Sequence, residues 1–314
     1  MSTEAVETSK PSVKVELYNY YTSSDKKPLS SLSADDLETV TKAITKVLKS
    51  VAAQKSLPNL IEGPDYSVDE RGWSISLEPP PEVPSQILTK FSKAVDAFDL
   101  QNLQVNSRVL EQYSSASHAS YKEHRLLEII CAAIHAIAID IYTTNNPPPE
   151  VVNLDSLIPA PYPVIAHSQY YASKPWKKVF DLKAVGFWAE AQIFGGVLYF
   201  DRAFDDSQPE LNAYQGVWVH GLPYAYTESL WHVPDEVVTT ALESAKFPFD
   251  IAAAQDVDSL LGLKEAEEEH GIFRHPKLAN EEAYTGEHSD EVQGLSDEDL
   301  AELQALREKA KESA

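Results

Sequence analysis

The stretch YKEHRLLEIICAAIHAIAIDIY, residues 121–142, limits what this chain can fold into more than any other. Leu127, Ile130, Ile134, Ile137 and Ile141 recur at steps of three and four, which places them on one face of a helix. Ile129, Ala133 and Ala136 leave little polar surface elsewhere on it. A helix apolar nearly all round must be covered on most sides, so the spacing predicts a central helix packed by a sheet and by other helices. Asn145-Asn146 and the prolines 147–149 end it. Its most apolar run, 129–139, falls short of the roughly 20 residues of a membrane span.

Other helices are predicted from Ser33, a cap with Asp36 three residues on, to about Val51; over 85–98; over 180–194 despite the central Gly186; and after Pro234-Asp235. A further helix, opening at Ser296, carries Leu300, Leu303 and Leu306 on one face. Strand signals lie at 13–21, 73–77, 163–171, 197–201 and 216–221, the last two being the strongest. Strands this few and irregularly connected do not fit a doubly wound fold. The expectation is an α+β protein, a mixed or antiparallel sheet packed against several helices, with an acidic, partly helical C-terminal extension. Residues 1–12 read as a disordered tail, 13–255 as the globular domain and 256–314 as the extension.

Charge narrows the partners. The chain has 49 acidic and 26 basic residues, a formal net charge of -23. Such a field repels nucleic acid and anionic membrane surfaces, so neither is an expected partner. From Lys264 onward there are 15 acidic against 6 basic residues, a candidate docking segment for a protein partner. A single cysteine, Cys131, leaves no intramolecular disulfide. The N-terminal MSTEAVETSKPSVKVE resembles neither a secretory nor a transit segment, which makes cytoplasmic residence the default, with nuclear residence left open.

Common catalytic signatures are missing. Gly195-Gly196 precedes a strand, whereas phosphate loops follow one and open a helix. There is no G-x-S-x-G elbow and no H-E-x-x-H. No cofactor is called for.

The candidate residues come from three places. His124, Glu128, Cys131 and His135 share a helix face, and His135, set among alanines and isoleucines, needs a hydrogen-bond partner if buried. Glu190 lies one turn after Gly186, turned away from the face made by Phe187, Ala191 and Phe194. Asp201 and His220 end the two best strands, and they share a rim only if those strands run parallel, which a connection of about 14 residues makes difficult. Asp201 is therefore better paired with Arg202 or another arginine. Trp218, His220, Tyr224, Tyr226, Trp231 and His232 crowd one segment that can wall a pocket or cap an interface. With His167, three histidines and a carboxylate suit a metal in number, but nothing in their spacing brings them together, and no metal site is assigned.

Two functions fit these residues. The first is an intracellular interaction or scaffold protein with an aromatic-lined surface made by Trp218, Tyr224, Tyr226, Trp231 and His232. The alternative is an enzyme without a cofactor, with His220 or His135 as general base and Glu190 or Asp201 beside it, acting on a small apolar or aromatic ligand.

Overall fold

The computed structural model describes residues 25–62, 83–146, 182–202, 216–220, 229–249, 260–262, 265–266 and 270–273. The predicted strands at 13–21, 73–77 and 163–171, the helix at 296–312, and Tyr224, Tyr226 and His167 lie outside them. What is described is a mixture of helices and antiparallel sheet, as the α+β expectation required.

Helix α1 spans Ala34–Leu48 and opens as its sequence predicts: the Ser33 hydroxyl accepts from the Asp36 amide at 3.2 Å and donates to the Asp36 carboxylate at 3.0 Å. It stops short of Val51 because Ser50 caps a new helix, α2 (Val51–Ser56), by accepting from the Ala53 amide. Helix α3 (Ser85–Ala97) buries Ile87 and Phe91. Helix α4 (Ser107–Ser115) is capped by Asn106. Ahead of it, β2 (Gln104–Asn106) pairs antiparallel with β1 (Lys26–Pro28), a short ladder with no periodic signal in the sequence.

Helix α5 runs from Ala119 to Asn145 and occupies the centre. Its 27 residues are long and apolar enough to cross a membrane by length and composition alone, but here α1, α4 and two later helices, α6 (Leu182–Phe194) and α7 (Asp235–Ser244), pack around it. Val40 and Ile44 of α1, Leu110 of α4, Ile130, Ile134 and Ile137 of α5, and Val238 of α7 belong to one core. Lys46 ties α1 to the far end of α7, donating to the carbonyls of Leu242 (3.0 Å) and Glu243, which α7 itself leaves unsatisfied.

Helix α6 closes at Gly195, whose φ of +88° is open to glycine and whose amide donates to Ala191 at 3.0 Å. The chain then enters the sheet. Strands β3 (Val197–Asp201), β4 (Val217–His220), β5 (Ser229–Val233), β6 (Leu260–Gly262) and β7 (Ile272–Phe273) are ordered β6-β5-β4-β3-β7, every pair antiparallel. Leu198, Phe200, Val217, Val219 and Val233 face the helices and join the main core. Val197, Tyr199, Trp218 and Leu230 face the other way and form a second cluster with Phe187, Leu261, Ala266 and Ile272. Every residue of β3 and β4 is buried. That explains why these strands read as continuous apolar runs, VLYF and VWV, without polar alternation.

Strands β6 and β7 are drawn from beyond residue 255, where the sequence reading ended the folded body, so the sheet extends at least to Phe273. They were missed because each has only two or three residues in a polar context. Truncation after Ala254 removes both edges of the sheet, together with buried Leu261, Ala266 and Ile272. It is expected to lower the melting temperature by about 10 °C or more, at roughly 1.5–3 kcal/mol for each large apolar side chain lost. Calorimetry of the chain ending at 254 against the chain ending at 273 checks this. Equal transitions would show that the two strands add nothing.

Candidate functional site

The site is built where α6 crosses α5. Nδ1 of His135, on α5, and Oε1 of Glu190, on α6, are 3.0 Å apart. Glu190 is 0% exposed, while the His135 side chain keeps 16% of its surface open. With Glu190 ionised and the ring neutral, the carboxylate can only accept, Nδ1 carries the hydrogen of this bond, and Nε2 carries the free lone pair. Among the described residues Nε2 has no hydrogen-bond partner.

Two more residues of α6 fix the ring. A Cβ built on Gly186 would fall 2.3 Å from both Cγ and Cδ2 of His135, so the imidazole lies against the bare α-carbon. Phe187 meets the ring edge-on, with centroids 4.7 Å apart and planes at 80°. Gly186, Phe187 and Glu190 thus hold the imidazole by one side, one edge and one nitrogen. Helical spacing brings the glycine and the glutamate, one turn apart, to the same side of α6. Gly186, which looked in the sequence like a weakness in a helix, makes room for the histidine. His135 is accordingly hydrogen-bonded, as expected for an imidazole in that segment, but half-buried rather than sealed in the core.

The other members of the His124–His135 face go elsewhere. His124 Nε2 lies 3.0 Å from Asp235 Oδ1, at the first turn of α7. Glu128 does not pair with His124. It takes a hydrogen bond from Arg125 at 2.7 Å and an ion pair from Arg202, while Arg125 also donates to the backbone carbonyl of Asp201 at 2.7 Å. Arg125, Glu128, Asp201 and Arg202 are all buried, with the Arg125 guanidinium 5.0 Å from the ring of Tyr121 and 5.8 Å from that of Phe200. Arg202 therefore joins an ion-pair network with Glu128 as an acid partner, and Asp201 is tied to that network through its backbone carbonyl. Cys131 is buried. Among the described residues no group of three or more His, Cys, Asp or Glu is placed to hold a metal ion.

Asp201 and His220 lie at opposite ends of their strands, because β3 and β4 are antiparallel: Val197 stands beside His220, and the Asp201 amide donates to Gly216. They form no dyad. Trp218 and His220 share the sheet face away from the main core, as strand alternation requires. His220 does not reach a rim: it is 1% exposed, with its ring 5.8 Å from that of Tyr199. Trp218 is 3% exposed and packs against His232 at 5.0 Å. Trp231 and His232, on β5, are half-buried.

No family model, curated protein or solved structure matches the chain.

Two outcomes follow from this geometry. Gly186→Ala should gain up to about 1 kcal/mol in helix propensity and lose more, roughly 1–3 kcal/mol, from overpacking the imidazole. A denaturant melt showing a net gain would mean the ring moves aside freely. At the second pair, the His124 hydrogen bond and the charges of His124 and His232 hold the Asp235 carboxyl below its ordinary value. A folded value below the unfolded one, about 3.9, means stability that is fully present above that pH and is lost as the pH falls through the folded value. Because Asp235 is half-exposed the effect is small. Asp235→Asn should lower the melting temperature by about 2 °C at neutral pH and by less near pH 3. A deficit that grows on acidification contradicts this assignment.

Proposed function

We propose that the chain is an acid–base catalyst acting on a small molecule, with His135 as the general base and Glu190 as the residue that orients it. The observation that carries this reading is the pairing of a fully buried carboxylate with one nitrogen of a histidine that keeps part of its ring open. A carboxylate on Nδ1 selects the tautomer with its lone pair on Nε2 and stabilises the imidazolium that forms when Nε2 takes a proton. Gly186 and Phe187 supply the fixed orientation that a base needs before its substrate arrives. Of the four candidate catalytic residues, the reading keeps His135 and Glu190. It drops His220 and Asp201, which stand at opposite ends of adjacent strands.

A second reading, an interaction or scaffold protein, draws on the 15 acidic and 6 basic residues from Lys264 onward and on the half-buried Trp231 and His232. Such a surface would recruit a basic protein partner.

The test uses 5-nitrobenzisoxazole, which opens in one step when a base removes its carbon-bound proton and the N–O bond breaks. His135→Gln is expected to lower the rate by at least about tenfold, the lower end of what a positioned base contributes, with the melting temperature little changed. Glu190→Gln should lower it less, because the base remains but its partner no longer carries charge. Equal rates for wild type and His135→Gln would sink the reading.

A further inference from the structure

Phe187 belongs to two assemblies at once. Its ring meets that of His135 with centroids 4.7 Å apart and planes at 80°. It is also buried in the second cluster, whereas Val185, Trp188, Ala189, Ile193 and Phe194 of the same helix belong to the main core. Among the described residues it is the one member of that cluster contributed by α1–α7. The others come from the strands of the sheet and from Ala266. Through one ring, then, the imidazole is in contact with the packing on the far face of the sheet.

That packing is completed late in the chain. Leu261 on β6 and Ile272 on β7 are buried, and both lie in the cluster with Phe187. These are the two outer strands of the sheet, three and two residues long. Strand β7 is held to β3 where Phe273 stands beside Phe200 and Ile272 beside Asp201. Outer strands this short open at lower cost than the centre of a sheet, since few ladder bonds hold them. Interiors are close-packed, so an apolar side chain lost from a cluster displaces its neighbours. Phe187 passes such a displacement to the ring it touches.

We infer that Phe187 is a positioning residue through which the second cluster, and with it strands β6 and β7, holds His135 in its working orientation. This inference rests on the proton-transfer reading and adds the part of the chain, beyond residue 255, that controls the base. Glu190 decides which nitrogen is held, and Phe187 decides the plane of the ring. A ring turned out of that plane has a weaker bond at Nδ1, because hydrogen bonds weaken steeply with misalignment.

The test uses the full chain and two readouts. One is the tautomer of His135, read from two-bond nitrogen–proton correlations of the imidazole and assigned by their absence in His135→Gln. The other is turnover of 5-nitrobenzisoxazole. The variants are Phe187→Leu, Ile272→Ala, the two combined, and Ile44→Ala in the main core, where Ile44 is as fully buried as Ile272.

The wild type is expected to hold the hydrogen on Nδ1. Phe187→Leu should bring up the other tautomer and lower turnover about three- to tenfold, the weight of one aromatic pair. Ile272→Ala should move both readouts in the same direction. Ile44→Ala should lower the melting temperature and leave the tautomer as in wild type. In the combined variant Ile272→Ala should add nothing to the change made by Phe187→Leu, which marks two residues acting in series. A tautomer unmoved by Phe187→Leu would overturn the inference. So would equal effects of Ile272→Ala and Ile44→Ala on it, or full additivity in the combined variant. Where a variant gives no cooperative melt, Phe187→Met, Ile272→Val and Ile44→Val make the same comparison. If wild type and His135→Gln turn over the substrate equally, the proton-transfer reading falls, and the tautomer series alone decides whether the cluster holds the ring.

Discussion

The close crossing of α5 and α6 is the constraint from which the rest of the structure follows. Helix α5 is apolar on nearly every side, so it must be surrounded, and at Gly186 α6 lies directly against the His135 ring. Without a side chain at that position the two backbones can sit with an imidazole between them. The position of α6 then sets that of β3, because only Gly195 and Gly196 separate them, and β3 is the strand on which β4 and β7 pair. Helix crossing, sheet placement and the seat of His135 are three results of one packing choice.

A second junction is electrostatic. Arg125 and Arg202 converge on Glu128, and Arg125 reaches on to the carbonyl of Asp201, so the helix face is joined to the end of β3 through buried charge. Taking such groups out of water costs several kcal/mol per ion, and their mutual attraction roughly offsets this when the geometry is good. The network is therefore weak as a source of net stability. It is strong as a selector of register: slipping β3 by one residue would move the Asp201 carbonyl and Arg202 away from Arg125 and Glu128, leaving charges buried without these partners.

The sequence made the large elements legible and the site only in pieces. Helices α1, α3, α5 and α7 follow from period and caps, and β3 and β4 from continuous apolar runs, since each signal is local. Strand β5 was hidden inside an aromatic stretch that also suggested a surface, and β6 and β7 are too short to show a period at all. The antiparallel pairing that separates Asp201 from His220 was expected from the length of the intervening connection. For the site, His135 and Glu190 were each marked as candidates, but nothing local says that residues 55 positions apart share a hydrogen bond. The clue was Gly186, one turn before Glu190 in a helix otherwise free of breakers. Arg125, fully buried, drew no notice because an arginine near the start of a helix ordinarily reads as surface.

The cost of Glu190 bears on what the dyad is for. A carboxylate with no exposed surface is among the least favourable groups to put between two helices, and a leucine or glutamine there would fill similar space without burying charge. Measured against apolar replacements of the same volume, buried ion pairs often prove neutral or destabilising. His135 is equally expensive, since the room it occupies requires a glycine in mid-helix, worth about 1 kcal/mol against alanine. Packing alone accounts for neither choice. The proposed proton transfer would call for both, because a histidine serves as a base only when one nitrogen is held and the other is open. Here Nδ1 meets the buried carboxyl group, and the His135 side chain keeps part of its surface open.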